Sequence, residues 1–177
     1  SSERPRERSG VLAECDRRSC PQLGVYFFFE PGERRSGSGD DARVVRVGIH
    51  ALRQVSHTKL WTWLSQHRGA LRSGGGNHRG SIFRLLVGTA LIARYGLSCP
   101  TWDTQRRGAP RAVREAEIKL EREVSQTIGA MPVLWLSVTD DPGADSERGA
   151  IERGAIALLS TWGRTGIDPP SSEWLGH

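Results

Sequence analysis

A few side chains in this sequence could transfer protons or bind a metal ion at neutral pH. Imidazole is the side chain whose unperturbed pKa lies nearest to neutrality, so His50 and His67 are candidate proton carriers. The phenol of Tyr26 has a pKa of about 10 and acts as a base only where a nearby cation lowers it. Glu152 lies beside Ile151 at the edge of an apolar stripe, and a partly buried carboxylate needs a metal ion or an arginine as its partner.

Two apolar runs carry Tyr26 and a basic residue that could act on it. Residues 23–30 (LGVYFFFE) and 43–49 (RVVRVGI) are rich in aromatic and β-branched side chains, which is typical of strands. Residues 31–41 contain glycine, serine, proline and charged side chains, which predicts a hairpin loop. An antiparallel hairpin would place Arg46 close to Tyr26, where its charge could lower the pKa of the phenol.

The remaining segments predict helices and one further strand. Apolar residues at helical spacing indicate four helices, and one nearly continuous apolar run indicates a buried strand. The element order β-β-α-α-α-β-α predicts an α+β fold, with a small antiparallel or mixed β-sheet flanked by helices. The predicted helices cover residues 58–68, 81–94, 112–128 and 147–162, and the predicted strand covers residues 131–138.

The domain organisation follows from length and local composition. A chain of 177 residues fits one domain. Residues 1–20 are polar and rich in arginine, which predicts a mobile N-terminal arm before a domain at residues 21–167. Residues 168–177 contain a Pro-Pro pair and no closing element, so we interpret them as a tail and expect the natural chain to continue beyond His177.

Composition excludes a membrane protein and points to a reducing compartment. No segment approaches the roughly 18 consecutive apolar residues of a membrane helix, and the N-terminus lacks the apolar core of a signal peptide. An odd number of cysteines, at positions 15, 20 and 99, predicts a cytoplasmic protein rather than a disulfide scaffold. Cys15 and Cys20 could form half of a zinc site, but no second pair follows at ligand spacing.

Charge is unevenly distributed along the chain, whose net charge is +5. Between Arg43 and Arg114 there are thirteen basic residues and one acid, Asp103, which predicts a surface for a polyanion. A compositional preference for arginine is the alternative. The glycine-rich segment 74–79 lacks the Lys-Ser/Thr of a phosphate-binding loop, so it is either a flexible connector or a backbone contact for DNA. The candidate nucleic-acid contacts are Arg53, Lys59, Arg68, Arg72 and Arg79.

Four short motifs in this order resemble the GIY-YIG nuclease superfamily, and the resemblance is closest to its restriction-enzyme branch. The segment Gly24-Val25-Tyr26 matches the first motif, and Val45-Arg46-Val47-Gly48 matches the second with arginine in place of tyrosine. The segment Leu64-Ser65-Gln66-His67 is similar to the end of the helix where the family has a tyrosine or histidine. The segment from Ile151 to Ile156 is similar to the helix that carries the metal-binding glutamate, and the likeness extends over residues 23–165.

The resemblance implies an endonuclease that hydrolyses DNA with Mg²⁺ or Mn²⁺, in restriction or phage defence. RNA is the alternative substrate, and a homodimer is a further expectation. Glu152 would bind the metal ion, which stabilises the scissile phosphate and the leaving oxygen. The implied catalytic group consists of Tyr26, Arg46, His50, His67 and Glu152.

The sequence departs from the family pattern at two positions. Trp63 stands where the family has the arginine of the first helix, and residues 160–164 contain no asparagine where one is expected. Tryptophan cannot bind a phosphate through a charged fork as arginine does. A catalytically impaired nucleic-acid-binding domain is therefore the first alternative. A protein-interaction domain that binds an acidic partner is the second.

Overall fold

A computed structural model describes residues 7–50, 59–70, 73, 75–104, 108–143, 145–160 and 166–176. The chain folds into two compact units. The described residues of 1–63 and 131–174 belong to the first unit, and those of 64–130 with 175–177 belong to the second. Within the described part of the chain, no helix is long and apolar enough to span a membrane.

The first unit contains a four-stranded antiparallel sheet. Its strands are β1 (Glu7–Val11), β2 (Gly24–Arg34), β3 (Ala42–Ile49) and β4 (Pro132–Ser137), in the spatial order β1-β4-β2-β3. The predicted hairpin of β2 and β3 is confirmed, although β2 extends to Arg34 into the predicted loop. The apolar run 131–138 forms β4, which pairs on both sides as an apolar central strand does.

The predicted mobile arm at residues 1–20 does not hold where the structure describes it. Residues Glu7–Val11 form β1 against β4, and a 3₁₀ turn follows at Leu12–Glu14. Leu12 is fully buried, and its amide donates to the carbonyl of Met131 at 3.1 Å. This strand at the edge of the sheet is held by backbone hydrogen bonds to β4 and is mostly polar. It therefore lacks the alternation of apolar and polar residues by which a strand is predicted from sequence.

The predicted C-terminal tail is also held in place. Asp168 accepts hydrogen bonds from the amides of Ser36, Gly37 and Ser38 at 2.8–3.0 Å, and the hydrogen bonds to Ser38 and these amides lower its pKa to about 2. Further along the tail, the Arg43 guanidinium lies 4.8 Å from the ring centre of Trp174. Residues 168–174 are therefore packed against the β2–β3 hairpin.

Four α-helices and a second 3₁₀ turn at His78–Gly80 complete the described secondary structure, and all four α-helices were predicted with small differences at their ends. They are α1 (Leu60–Arg68), α2 (Ile82–Tyr95), α3 (Arg111–Ala130) and α4 (Glu147–Leu159). The hydroxyl of Ser81 caps α2 by accepting from the amide of Arg84, and Gly96 ends the helix in the left-handed conformation.

The buried face of α2 contains a charged residue, while two apolar residues of the helix are exposed. Ile82 and Leu86, four residues apart, are 54% and 56% exposed, whereas Arg84 is completely buried. Hydrophobic spacing alone cannot anticipate this arrangement, because a buried arginine needs partners that lie elsewhere in the sequence.

Those partners come from α3 and from α1, within the second unit. The Arg84 guanidinium donates to the Glu121 carboxylate, to the carbonyls of Glu121 and His67 at 2.9 Å, and to the Ser125 hydroxyl at 3.0 Å. Glu121 also accepts from the backbone amide of His78 at 2.7 Å. Breaking a buried ion pair by removing one partner usually costs about 3–5 kcal/mol, so this network is central to the unit.

The glycine-rich segment lies directly over this guanidinium. A Cβ added at Gly76 would come within 2.5 Å of the Arg84 Nε, and one at Gly69 would come within 2.8 Å of its Nη1. The Gly75 carbonyl accepts from the Ala70 amide at 2.7 Å. These glycines therefore allow the backbone to approach a buried cation, which is a packing role that neither the connector nor the DNA-contact interpretation included.

The packing role makes a prediction for two neighbouring glycines. Gly76→Ala should lower the free energy of unfolding by about 1–3 kcal/mol, because the new methyl group overlaps the Arg84 guanidinium. Gly75→Ala is the matched control, since its Cβ would meet only the Ser73 hydroxyl at 3.4 Å. Urea denaturation of the two variants and the unaltered protein measures both effects. Equal stability of the two variants would contradict the packing role.

Candidate active site

The ring of Tyr26 lies against the backbone of Gly48. The two residues are directly paired across β2 and β3, and a Cβ at Gly48 would overlap the Tyr26 ring, including Cε2 at 2.8 Å. Tyr26 is only 2% exposed, and its ring meets Phe28 edge-on at 5.7 Å between centroids. Glycine at position 48 is therefore required for the tyrosine to lie flat on the sheet.

Arg46 projects from the same face of the sheet. It is paired with Phe28, and directly opposed residues of antiparallel strands share a face. Arg46 donates a hydrogen bond to the Tyr26 hydroxyl oxygen. The pairing shifts by one residue just beyond this point, where Phe29 faces Val44, and such β-bulges commonly redirect side chains beside active sites.

Glu152 reaches the same place from α4, which packs on β3 and β2. Its carboxylate accepts a hydrogen bond from the backbone amide of Ile49 and interacts with the charge of Arg46. The Glu152 charge also acts on Tyr26. The fold thus brings together residues 26, 46 and 152, which the sequence predicted as members of one catalytic group.

The pKa values of both acidic groups at this place, Tyr26 and Glu152, are raised. Burial raises the pKa of Tyr26, Arg46 opposes the rise, and the Glu152 charge adds to it. Burial likewise raises the pKa of Glu152, although Arg46, the Ile49 amide and Arg153 all lower it. An additional cation beside Glu152 would stabilise both anionic forms.

His50 lies at the end of β3 but is engaged elsewhere. Its Nε2 is 3.1 Å from the Gln22 carbonyl, so Nε2 carries the hydrogen, and the His50 carbonyl accepts from the Arg148 guanidinium at 3.0 Å. Burial, followed by the Arg148 charge, lowers the pKa of this 2%-exposed imidazole to about 4. His50 is therefore neutral at pH 7, and proton transfer by it stays a prediction.

His67 belongs to the second unit, where it is 1% exposed. Its Nδ1 lies 2.7 Å from the Ser81 hydroxyl, and its ring meets Phe83 edge-on at 5.6 Å. Since its carbonyl also accepts from Arg84, His67 is part of the buried polar network around that guanidinium. A catalytic role for His67 stays a prediction.

The predicted nucleic-acid contacts have different environments. Arg79 donates through both Nη atoms to the Glu117 carboxylate, at 2.6 and 2.8 Å, and this pair is largely buried. Lys59 is exposed, and Arg68 is partly exposed in the last turn of α1. Arg53 and Arg72 lie outside the described residues.

Several charges of the basic middle segment are neutralised by acids from the flanking segments. Four arginines between positions 43 and 114 each form an ion pair with a glutamate carboxylate. The pairs are Arg43–Glu33, Arg79–Glu117, Arg84–Glu121 and Arg111–Glu115. Basic and acidic residues that lie in different segments of the sequence are therefore partly paired in the folded protein. These paired arginines do not add to a positive surface for a polyanion.

A single hydrated divalent ion fits the donor set at Glu152. Among the described residues, no group of three or more His, Cys, Asp or Glu side chains could hold a metal ion. Mg²⁺ keeps several of its waters and is commonly bound by one or two carboxylates together with substrate phosphates, so a single carboxylate at this place is compatible with such an ion. Burial raises the pKa of the half-buried Glu152 carboxylate, and a divalent ion bound to it would stabilise its ionised form.

Cys15 and Cys20 lack the further ligands of a zinc site, since among the described residues no group of three or more His, Cys, Asp or Glu side chains could hold a metal ion. The Cys15 thiol donates to the Val11 carbonyl at 3.3 Å. All three cysteines are free thiols.

Arg148 is the residue of this region that sequence reasoning missed. Its charged neighbours Glu147 and Arg153 are exposed, but Arg148 is 1% exposed. Its guanidinium is paired with Asp140, in the loop that follows β4. No local sequence pattern distinguishes Arg148 from the exposed Arg153. The two arginines differ only in their surroundings in the folded protein.

The comparison with known families supports the predicted class of fold. The sequence pattern of the GIY-YIG domain matches residues 3–177 of this chain. No curated protein and no solved structure matches it. The GIY-YIG domain is a nuclease-type fold whose members are usually endonucleases acting on DNA with divalent metal ions, and the α+β arrangement found here is consistent with it.

The contact between Tyr26 and Gly48 yields a prediction about stability. Gly48→Ala should lower the free energy of unfolding by about 1–3 kcal/mol, because the methyl group overlaps the tyrosine ring. In a Tyr26→Leu background the same change should cost less, since the ring is gone, and a double-mutant cycle in urea measures that coupling. Gly10→Ala is the strand control, since its Cβ would meet only the Cys15 sulfur at 3.7 Å. A Gly48→Ala cost that is independent of Tyr26 would contradict the contact.

Proposed function

Because this chain belongs to the GIY-YIG domain family, we propose that it is a divalent-metal-dependent endonuclease that hydrolyses phosphodiester bonds of DNA. The observation that carries the proposal is the group formed by Tyr26, Arg46 and Glu152 on one face of the sheet. The group combines a proton-accepting oxygen, a fixed cation and a carboxylate with unbalanced charge, which are the parts that phosphate hydrolysis needs.

Each residue of the group has a defined task in this proposal. Glu152 would hold Mg²⁺ or Mn²⁺, and a bound ion supplies positive charge for the scissile phosphate and the leaving oxygen. The Tyr26 oxygen accepts a hydrogen bond from the attacking water and orients it. Arg46 holds that oxygen by its own hydrogen bond and favours the phenolate form, which takes the proton of the water and becomes the neutral phenol.

The biological setting is proposed from the family resemblance and the state of the cysteines. The resemblance to the restriction-enzyme branch supports a role in restriction or phage defence. An activity on DNA, together with three free thiols, supports a cytoplasmic location. RNA as a substrate and a homodimeric assembly stay predictions.

Removal of the carboxylate or of the metal tests the activity. Glu152→Gln should lower DNA cleavage by at least about 10²-fold, the usual cost of losing an electrostatic group at the reacting centre. A chelator should abolish cleavage by the unaltered protein, and Mg²⁺ or Mn²⁺ should restore it. Plasmid nicking and linearisation measure both effects.

The matched control is Glu147→Gln, an exposed carboxylate in the first turn of the same helix, which should leave cleavage unchanged. Mn²⁺ should also raise the melting temperature of the unaltered protein and not that of Glu152→Gln, since only a bound ion stabilises the folded state. Cleavage that survives both the substitution and the chelator would rule out the proposed mechanism.

A catalytically impaired nucleic-acid-binding domain is the second candidate, because of Trp63. This half-buried tryptophan on α1 occupies the position of the family's arginine and brings no charge. An impaired domain would bind DNA with an affinity that falls steeply with salt and would not turn over.

Trp63→Arg distinguishes the two candidates. If the missing guanidinium limits the reaction, this variant should cleave at least about 10-fold faster than the unaltered protein, as expected for a restored phosphate-stabilising group. Trp61→Arg, on the preceding part of the same helix, controls for the added charge. A gain in Trp63→Arg alone supports impairment. Equal rates in all three proteins would show that Trp63 does not limit catalysis.

The third possibility, an interaction domain for an acidic partner, lacks a supporting observation in the described residues. It depended on the basic middle segment, in which Arg43, Arg79 and Arg84 are already paired with carboxylates of this chain.

A further inference from the structure

Arg148 is a buried cation one helical turn before Glu152. Its backbone amide donates to the Asp140 carboxylate at 3.0 Å, and its guanidinium is paired with the same carboxylate. Its Nη1 donates to the His50 carbonyl at 3.0 Å. One side chain therefore joins the start of α4 to the loop after β4 and to the end of β3.

Arg148 and Glu152 together hold α4 to consecutive residues of the sheet. Side chains four residues apart lie on the same face of a helix. Here Glu152 accepts from the amide of Ile49, and Arg148 donates to the carbonyl of His50. One contact would leave the helix free to rotate or slide about it, whereas two contacts one turn apart define both position and rotation.

Two side chains also cap the start of α4. The Ser146 hydroxyl accepts from the Gly149 amide at 3.2 Å, and Asp140 accepts from the Arg148 amide. Asp140 therefore binds both the backbone and the guanidinium of Arg148, which limits the freedom of the first helical turn.

One donor of the buried Arg148 guanidinium makes no hydrogen bond to any described residue, which is unfavourable for a residue whose only role is stability. Its Nη2 is buried and has no hydrogen-bond partner among the described residues. Burying a charged group with a donor unsatisfied costs free energy, and an apolar side chain of similar size would avoid that cost. The arrangement is better explained by the geometry it imposes on the helix.

We propose that Arg148 is a positioning residue, which holds α4 on the end of β3 so that the Glu152 carboxylate faces Tyr26 and Arg46. The expected effect of Arg148 on catalysis rests on the proposed nuclease function, whereas its contacts with Asp140 and His50 do not depend on that function. Arg148 is too deeply buried to contact DNA itself, so its effect on the reaction must pass through Glu152.

Activity measurements provide the first test. Arg148→Met should lower kcat by about 10–100-fold, the range found when a residue that orients a ligand is removed, with KM changed by less than about 3-fold. Arg148→Lys should recover part of that loss, because lysine keeps the charge but cannot reach both Asp140 and His50 as the planar fork does. Glu147→Gln is the control in the same turn and should retain full activity.

The amide signal of Ile49 in an NMR spectrum provides a test that needs no activity. Glu152→Gln should shift this signal, since its hydrogen bond goes to a neutral group instead of a carboxylate. Arg148→Lys should shift the Ile49 signal as well. The additional shift caused by Glu152→Gln should be much smaller in the Arg148→Lys variant than in the unaltered protein. Asp140→Asn, a milder change, should behave like Arg148→Lys and replaces Arg148→Met if that variant does not fold.

The outcomes separate the two claims. If the unaltered protein does not cleave DNA, the proposed function fails, and the Ile49 signal still decides the role of Arg148. If Arg148→Lys and Asp140→Asn lose thermal stability but keep kcat and the Ile49 signal of the unaltered protein, the positioning role is overturned. If the Glu152→Gln shift of Ile49 is the same with and without Arg148, the two residues are independent and the inference is also overturned.

Discussion

The contact between the Tyr26 ring and the bare backbone of Gly48 sets the geometry of the candidate site. It exists only if β2 and β3 pair in one register, because a shift by one residue would turn Tyr26 to the opposite face. The same register places Arg46 two residues from Gly48 on the shared face, within hydrogen-bonding reach of the phenol. The position of α4 then adds the carboxylate of Glu152.

Both units use the absence of a glycine side chain to accommodate a functional or charged group. In the first unit, Gly48 makes room for an aromatic ring, and in the second, Gly76 makes room for the Arg84 guanidinium. A residue with a Cβ would collide at either place, so these glycines are constrained by packing rather than chosen for flexibility. A glycine-rich sequence can therefore indicate a close backbone approach as well as a mobile loop.

The candidate site is electrostatically unbalanced, which is common where chemistry takes place. Tyr26 and Glu152 both have raised pKa values, and Arg46 only partly offsets their burial. In the proposed function a divalent ion on Glu152 would stabilise both anionic forms. Trp63 supplies no charge at its position on α1, and Arg46 is a cation that acts on both Tyr26 and Glu152.

The sequence by itself determined the hairpin of β2 and β3 and the four helices, because these depend on local periodicity. Short motifs also predicted the three residues that the fold brings together at the candidate site. The edge strand β1 and the held tail were missed, since their stability comes from backbone bonds and caps to distant residues. The tertiary structure alone decided which charges are paired. Arg84 and Arg148 look like solvated residues in the sequence, and they are buried because Glu121 and Asp140, 37 and 8 residues away, provide their carboxylates. Electrostatic partners act through space, so linear patterns cannot reveal them.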